Sequence, residues 1–82
     1  MDTHALRRMI RLRARRRGML EVELVLERAL RGLDAMGPEE LEQMARVVEM
    51  DDMAIWEIIT GRSSPPPWLE AWVVRLLRPV RD

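Results

Sequence analysis

The chain is interrupted at short intervals by residues that stop helices: Gly18, Gly37-Pro38, Gly61 and the run Ser63-Ser64-Pro65-Pro66-Pro67. Between these breakers, apolar residues recur every three or four positions, and no stretch of useful length alternates with period two. Tyr and Phe are absent. A chain of 82 residues divided in this way has room for short helices and nothing else, so the expected architecture is all-α, a compact bundle of five helices forming a single domain over residues 1–82.

The segments follow from the same pattern. A first helix is expected over 4–16, with Leu6, Met9 and Ile10 inward. Gly18 can end it and cap the next helix, which places Glu21 at the third position of that helix. The second helix is expected from Met19 to Met36, because Met19, Val22, Leu26, Ala29 or Leu30, Leu33 and Met36 recur every three or four residues. At 1.5 Å per residue it would be roughly 27 Å long. Pro38 opens a third helix over 38–49, burying Leu41, Met44, Ala45 and Val48. Asp52 is the expected cap of a fourth helix over 53–60 that Gly61 ends, with Ile55, Trp56 and Ile59 on its inner side. Because a residue before proline avoids helical angles, a fifth helix is expected to open at Pro67 and to fray after Pro79.

Size limits what such a body can do. A core below about 80 residues supplies only a few kcal/mol, and a ligand cavity of about 300 Å³ or more would remove much of it. Function is therefore expected on the surface. Cysteine is absent, and His4 is the only histidine, which leaves no thiolate metal site and no nucleophile–base pair. No apolar run approaches the roughly 18 residues that span a bilayer, and the N-terminus has no hydrophobic signal core. The expected location is cytoplasmic.

A net charge of zero conceals strong segregation. All fourteen basic residues are arginine, and seven of them (Arg7, Arg8, Arg11, Arg13, Arg15, Arg16 and Arg17) lie within residues 3–20, which contain no acid. Residues 21–57 hold eleven acids against Arg28, Arg31 and Arg46. The basic segment reads as a solvated face, a phosphate-binding face or a presequence, and composition favours a protein partner somewhat over nucleic acid. No aromatic residue interleaves with the arginines, as single-strand binding by stacking requires. A small nucleic-acid-binding or antitoxin-type regulator is the alternative reading of this helix.

Where the basic and acidic segments meet stands R-G-x-x-E: Arg17, Gly18 and Glu21. Such a pattern arises often by chance, and a helix junction with a capping carboxylate accounts for it. The functional reading has Arg17 and Glu21 projecting together from a tight bend, the guanidinium offering a two-point fork and Gly18 admitting a partner's backbone. The cluster Glu49, Asp51, Asp52 lacks the ligand spacing of a calcium loop and is better read as capping. Trp56, Trp68 and Trp72 read as core or rim packing, with Trp68 a possible interface anchor after the proline run.

The run Arg16-Arg17-Gly18-Met19-Leu20-Glu21-Val22-Glu23-Leu24, followed by Glu49-Met50-Asp51-Asp52 and Ile55-Trp56 and closed by Gly61 and an apolar helix, resembles the flavinylation factors of succinate dehydrogenase. These are the small SdhE proteins of bacteria and, in mitochondria, succinate dehydrogenase assembly factor 2. The resemblance covers about residues 6–78. Members usually carry an aromatic residue in the helix before the motif, Asp where Glu23 stands and Pro where Met53 stands.

The resemblance implies a five-helix bundle and a non-enzymatic assembly factor. Such a factor binds the flavoprotein subunit of succinate dehydrogenase, or in some lineages of fumarate reductase, and promotes covalent attachment of that subunit's FAD to a histidine. The factor itself is expected to hold no cofactor stably. The implied partner-binding residues are Arg16, Arg17, Gly18, Met19, Glu21, Glu49, Asp51 and Asp52.

Overall fold

The computed structural model describes residues 2–78. Helix α1, Thr3–Arg15, starts at Asp2, whose carboxylate accepts the His4 amide at 3.2 Å. Ile10 and Ala14 are buried, and Leu6 and Met9 pack at the edge of the core. The apolar stripe faces α3 (Pro38–Val48) and α2 (Leu20–Ala29), so the arginines are left on the outer sides.

Helix α2 does not run to Met36 as expected. After Ala29 it tightens into a 3-10 segment, Leu30–Ala35. Its inward residues Leu30, Leu33 and Met36 remain buried, because a spacing of three suits a 3-10 turn as well as an α-turn. The chain leaves the segment under the grip of α1. Arg7 donates through Nε to the Leu33 carbonyl at 3.3 Å and through Nη2 to that of Met36 at 2.9 Å. Arg11 pairs with Asp34 at 2.9 Å. Gly32, a weak helix former, lies within the segment.

Helix α3 begins at Pro38 as expected, and the Glu40 carboxylate accepts the Gly37 amide at 3.0 Å. Leu41, Met44, Val47 and Val48 are buried. Helix α4, Asp52–Ile59, is capped by Asp51 and not by Asp52: the Asp51 carboxylate accepts the Met53 amide at 3.2 Å. At the other end Gly61 takes a φ of +75°. The Gly61 amide reaches the Ile58 carbonyl at 3.2 Å and the Arg62 amide reaches that of Glu57 at 2.9 Å. This is the double closure that a left-handed residue permits.

Helix α5 opens at Ala71, not Pro67, and runs to Leu77. Residues Pro66–Leu69 instead form a turn, closed by the Leu69 amide on the Pro66 carbonyl at 3.0 Å. Gln43 of α3 holds this turn from both sides, donating to the Trp68 carbonyl at 2.9 Å and accepting the Glu70 amide at 3.1 Å. The Arg46 guanidinium lies 4.1 Å from the Trp68 ring centroid. One face of the Trp68 ring is thereby covered from α3, and the residue stays partly exposed beside the turn. The expected fraying after Pro79 lies outside the described residues.

The five α-helices of the described residues share one core. Ile10, Leu26, Leu33, Leu41, Met44, Ile55, Val73 and Leu77 meet within it with essentially no exposure. The Cα radius of gyration is 12.0 Å, as a compact chain of this length requires.

Candidate functional site: the α1–α2 corner

Between Arg15 and Leu20 the chain turns from α1 into α2, with Met19 extended at the cap position. The helix therefore starts one residue later than a Gly18 cap would allow. Glu21 falls one position short of a capping box, and no side chain caps α2.

The two charged residues of R-G-x-x-E part ways here. Glu21 is exposed on the first turn of α2. Arg17 turns inward, its side chain only 8% exposed. Its Nε donates to Asp52 Oδ1 and its Nη2 to the Met50 carbonyl. Its Nη1 donates to the Val48 carbonyl at 2.8 Å and more weakly to that of Arg13 at 3.4 Å. Val48 ends α3, so the guanidinium covers the negative end of that helix and ties it to the positive end of α4. The expectation that Arg17 and Glu21 project together is corrected: Arg17 has spent its fork inside the molecule.

Asp52 completes the arrangement. Oδ1 takes Arg17, while Oδ2 accepts the amides of Gly18 at 2.8 Å and Met19 at 3.2 Å. Partial burial alone would push this carboxyl upward. The hydrogen bond from Arg17, the Gly18 amide, the Arg17 charge and the Met19 amide outweigh that and hold it below the usual aspartate value. Sequence reasoning placed Asp52 as a cap and contact residue. Its link to Arg17 across 35 positions has no local signal.

The other implied residues divide the same way. Met19 packs against the core, Asp51 caps α4, and Glu49 is exposed beside Arg13 at 3.3 Å. The acids at 49, 51 and 52 thus go to three different partners. Arg16 and Gly18 stay exposed. They border a shallow cleft of about 480 Å³ together with Leu12, Arg13, Glu49 and Asp51. A second shallow groove, about 650 Å³, runs between α2 and α4 and is lined by Glu21, Leu24, Val25, Trp56 and Ile59.

Four large apolar side chains, Leu12, Leu20, Leu24 and Met53, are each more than half exposed. Leu12 lines the first cleft and Leu24 the second. Leu20 neighbours Glu21, and Met53 neighbours Asp52. Sequence reading passed over them, although α2 did carry a signal: Leu20 and Leu24, four apart, form an apolar row beside the buried Val22, Leu26 and Ala29.

Of the seven arginines that open the chain, Arg7, Arg11, Arg13 and Arg17 engage carbonyls or carboxylates of the molecule itself. The phosphate-binding reading is left with Arg8, Arg15 and Arg16 on that helix and its exit.

The profile of the family described as flavinator of succinate dehydrogenase (Sdh5) matches residues 8–81. The chain belongs to this family. No curated protein and no solved structure gives a match. The family description makes the chain a succinate dehydrogenase flavination factor. In this member the arginine of R-G-x-x-E is a structural tie, while the glycine and the glutamate remain at the surface. No described helix is long and apolar enough to cross a membrane.

Proposed function

We propose that the chain docks its α1–α2 corner on the flavoprotein subunit of succinate dehydrogenase, or of fumarate reductase, and so promotes covalent attachment of FAD to a histidine of that subunit. The observation that carries the reading is the state of Gly18. It is exposed, its φ is not positive, and a Cβ built on it would meet nothing closer than Asp52 Oδ2 at 3.5 Å, an ordinary contact. The chain's own packing has no need of glycine there. A partner surface that comes against the backbone would need it.

The surroundings suit a protein partner. Exposed apolar side chains beside an open charged rim are the composition of an interface. Arg16, Gly18 and Glu21 supply the polar rim, with Leu12, Leu20, Leu24 and Met53 as apolar contacts. Glu49 and Asp51 extend that rim on the far side of the cleft, while Arg17, Met19 and Asp52 act from beneath, by holding the corner in shape.

The cofactor belongs to the partner. The Gly18 and Met19 amides, which could otherwise cradle a pyrophosphate, already face a carboxylate. FAD and the partner's histidine supply the bond-forming chemistry. This chain adds no base or nucleophile to it. Its contribution is to bind the flavin-bearing domain and hold it in a productive arrangement, an effect of orientation and electrostatics.

The test is covalent flavin on the partner subunit, read by in-gel fluorescence after incubation with FAD and this protein. Gly18→Ala and Glu21→Ala are both expected to lower the yield while remaining folded. Full flavinylation with both variants would refute the docking of this corner.

A further inference from the structure

The residue that shapes the docking backbone lies outside R-G-x-x-E, on another helix. We propose that Asp52 is a positioning residue for the corner: its two carboxylate oxygens bind Arg17 on one side and the Gly18 and Met19 amides on the other, so that the partner meets a backbone set by Asp52 without touching Asp52 itself. This rests on the docking reading above and assigns its geometry to a specific group.

The carboxylate sits at the first position of α4, and its side chain is only 19% exposed. It makes three hydrogen bonds to one short stretch of chain, all to residues 17–19. No other side chain among the described residues bonds to the Gly18 or Met19 amide. Without Asp52 those amides would turn to water, and Gly18, which has the widest conformational freedom of any residue type, would no longer be held in one orientation. Arg17 serves the same end from below: it anchors Asp52 to the carbonyl of Val48, the last residue of α3, and to that of Met50, two residues on in the link to α4. The acceptor must be a carboxylate. An asparagine would turn an N–H₂ donor either toward Arg17 or toward the two amides, and both are donors already.

A tie of this kind stabilises as well as positions, so the experiment must separate the two. Affinity for the purified flavoprotein subunit is measured for the wild type, Asp52→Asn, Gly18→Ala, Leu24→Ala and the double variants, at a temperature where circular dichroism shows each to be folded. Asp52→Asn is expected to weaken binding about tenfold or more, and to be strongly non-additive with Gly18→Ala, since both act on the same backbone. It should add simply to Leu24→Ala. Amide exchange should accelerate at Gly18 and Met19 while the interior of α3 keeps its protection.

Asp52→Glu retains charge and acceptors but displaces them by one methylene, and it serves if the asparagine variant does not fold. It is expected to keep most of the stability and lose most of the affinity. As a control, Val22→Ala removes buried volume away from the tie and should lower stability without changing affinity. Additivity of Asp52→Asn with Gly18→Ala, or wild-type affinity in Asp52→Glu, would overturn the positioning role and leave the docking reading intact. A wild-type protein with no affinity for the subunit would overturn both.

Discussion

Replacing either charged residue of R-G-x-x-E should produce opposite phenotypes, although the two stand four positions apart. Arg17→Ala removes the partner of Asp52, along with the donors to the Val48 and Met50 carbonyls. Breaking a buried ion pair from one side costs about 3–5 kcal/mol. Asp52 would keep its two amide donors and some contact with water, which places the loss near the low end, about 3 kcal/mol. Total stability at this chain length is on the order of 4–12 kcal/mol, so a quarter or more of it is at stake. At roughly 4–8 °C per kcal/mol for a domain of this size, Tm should fall by about 12–24 °C. Glu21 is exposed, and its side chain makes no hydrogen bond or ion pair among the described residues, so Glu21→Ala should stay within about 0.5 kcal/mol of wild type. Thermal and urea melts followed by circular dichroism measure both. A Tm change of less than about 3 °C for Arg17→Ala would refute the claim that this arginine is an internal tie. A large loss for Glu21→Ala would refute the surface role of the glutamate.

Gly18→Ala, at a backbone position open to any residue, should raise stability by about 0.4–1 kcal/mol through the unfolded chain, seen as a Tm increase of a few degrees; a marked decrease would mean that the fold itself needs the glycine. Gly61→Ala should do the reverse, costing about 1 kcal/mol, because its φ of +75° disfavours a Cβ. In acid, Asp52 and Asp34 should both contribute, since each is held below the usual aspartate value, Asp34 by the hydrogen bond and charge of Arg11. Their stabilisation is complete above the ordinary aspartate value and is lost as pH falls through the lower native ones. Asp52→Asn should therefore flatten the fall in urea midpoint below about pH 4, and an unchanged acid limb would contradict the assignment. Gln43→Ala should release the Pro66–Leu69 turn at a cost of about 1–2 kcal/mol, visible as a red shift of tryptophan emission as Trp68 loses its cover.

Much of the fold was legible because its signals are local. Pro38 with Glu40, and Gly61 beyond α4, act within a few residues of the ends they define. The inward face of each helix followed largely from spacing, although Ala45 and Trp56 are only partly buried and Val47 and Ile58 join the core. Even where α2 gave way to a 3-10 segment, Leu30, Leu33 and Met36 stayed buried. The misplaced starts have a common cause. The turn before α5 is held by Gln43, a residue 25 positions from Trp68, and α4 is capped one residue early because Asp52 is drawn to Arg17. Propensity carries no information about either partner.

The site divides along the same line. R-G-x-x-E and its surroundings could be picked out by motif and by the change of charge, since both are properties of the string. Which of those side chains faces a partner could not. Arginine suits an internal tie and an external fork equally well, and the choice falls to whatever acceptors the packing brings within reach. Here the end of α3, the link after it and the start of α4 deliver two carbonyls and a carboxylate to Arg17, and among the described residues nothing to the Glu21 side chain. The linear order of breakers and apolar residues determined five helices and one core. Only their packing decided that one charge of the motif closes the corner and the other is left to meet a partner.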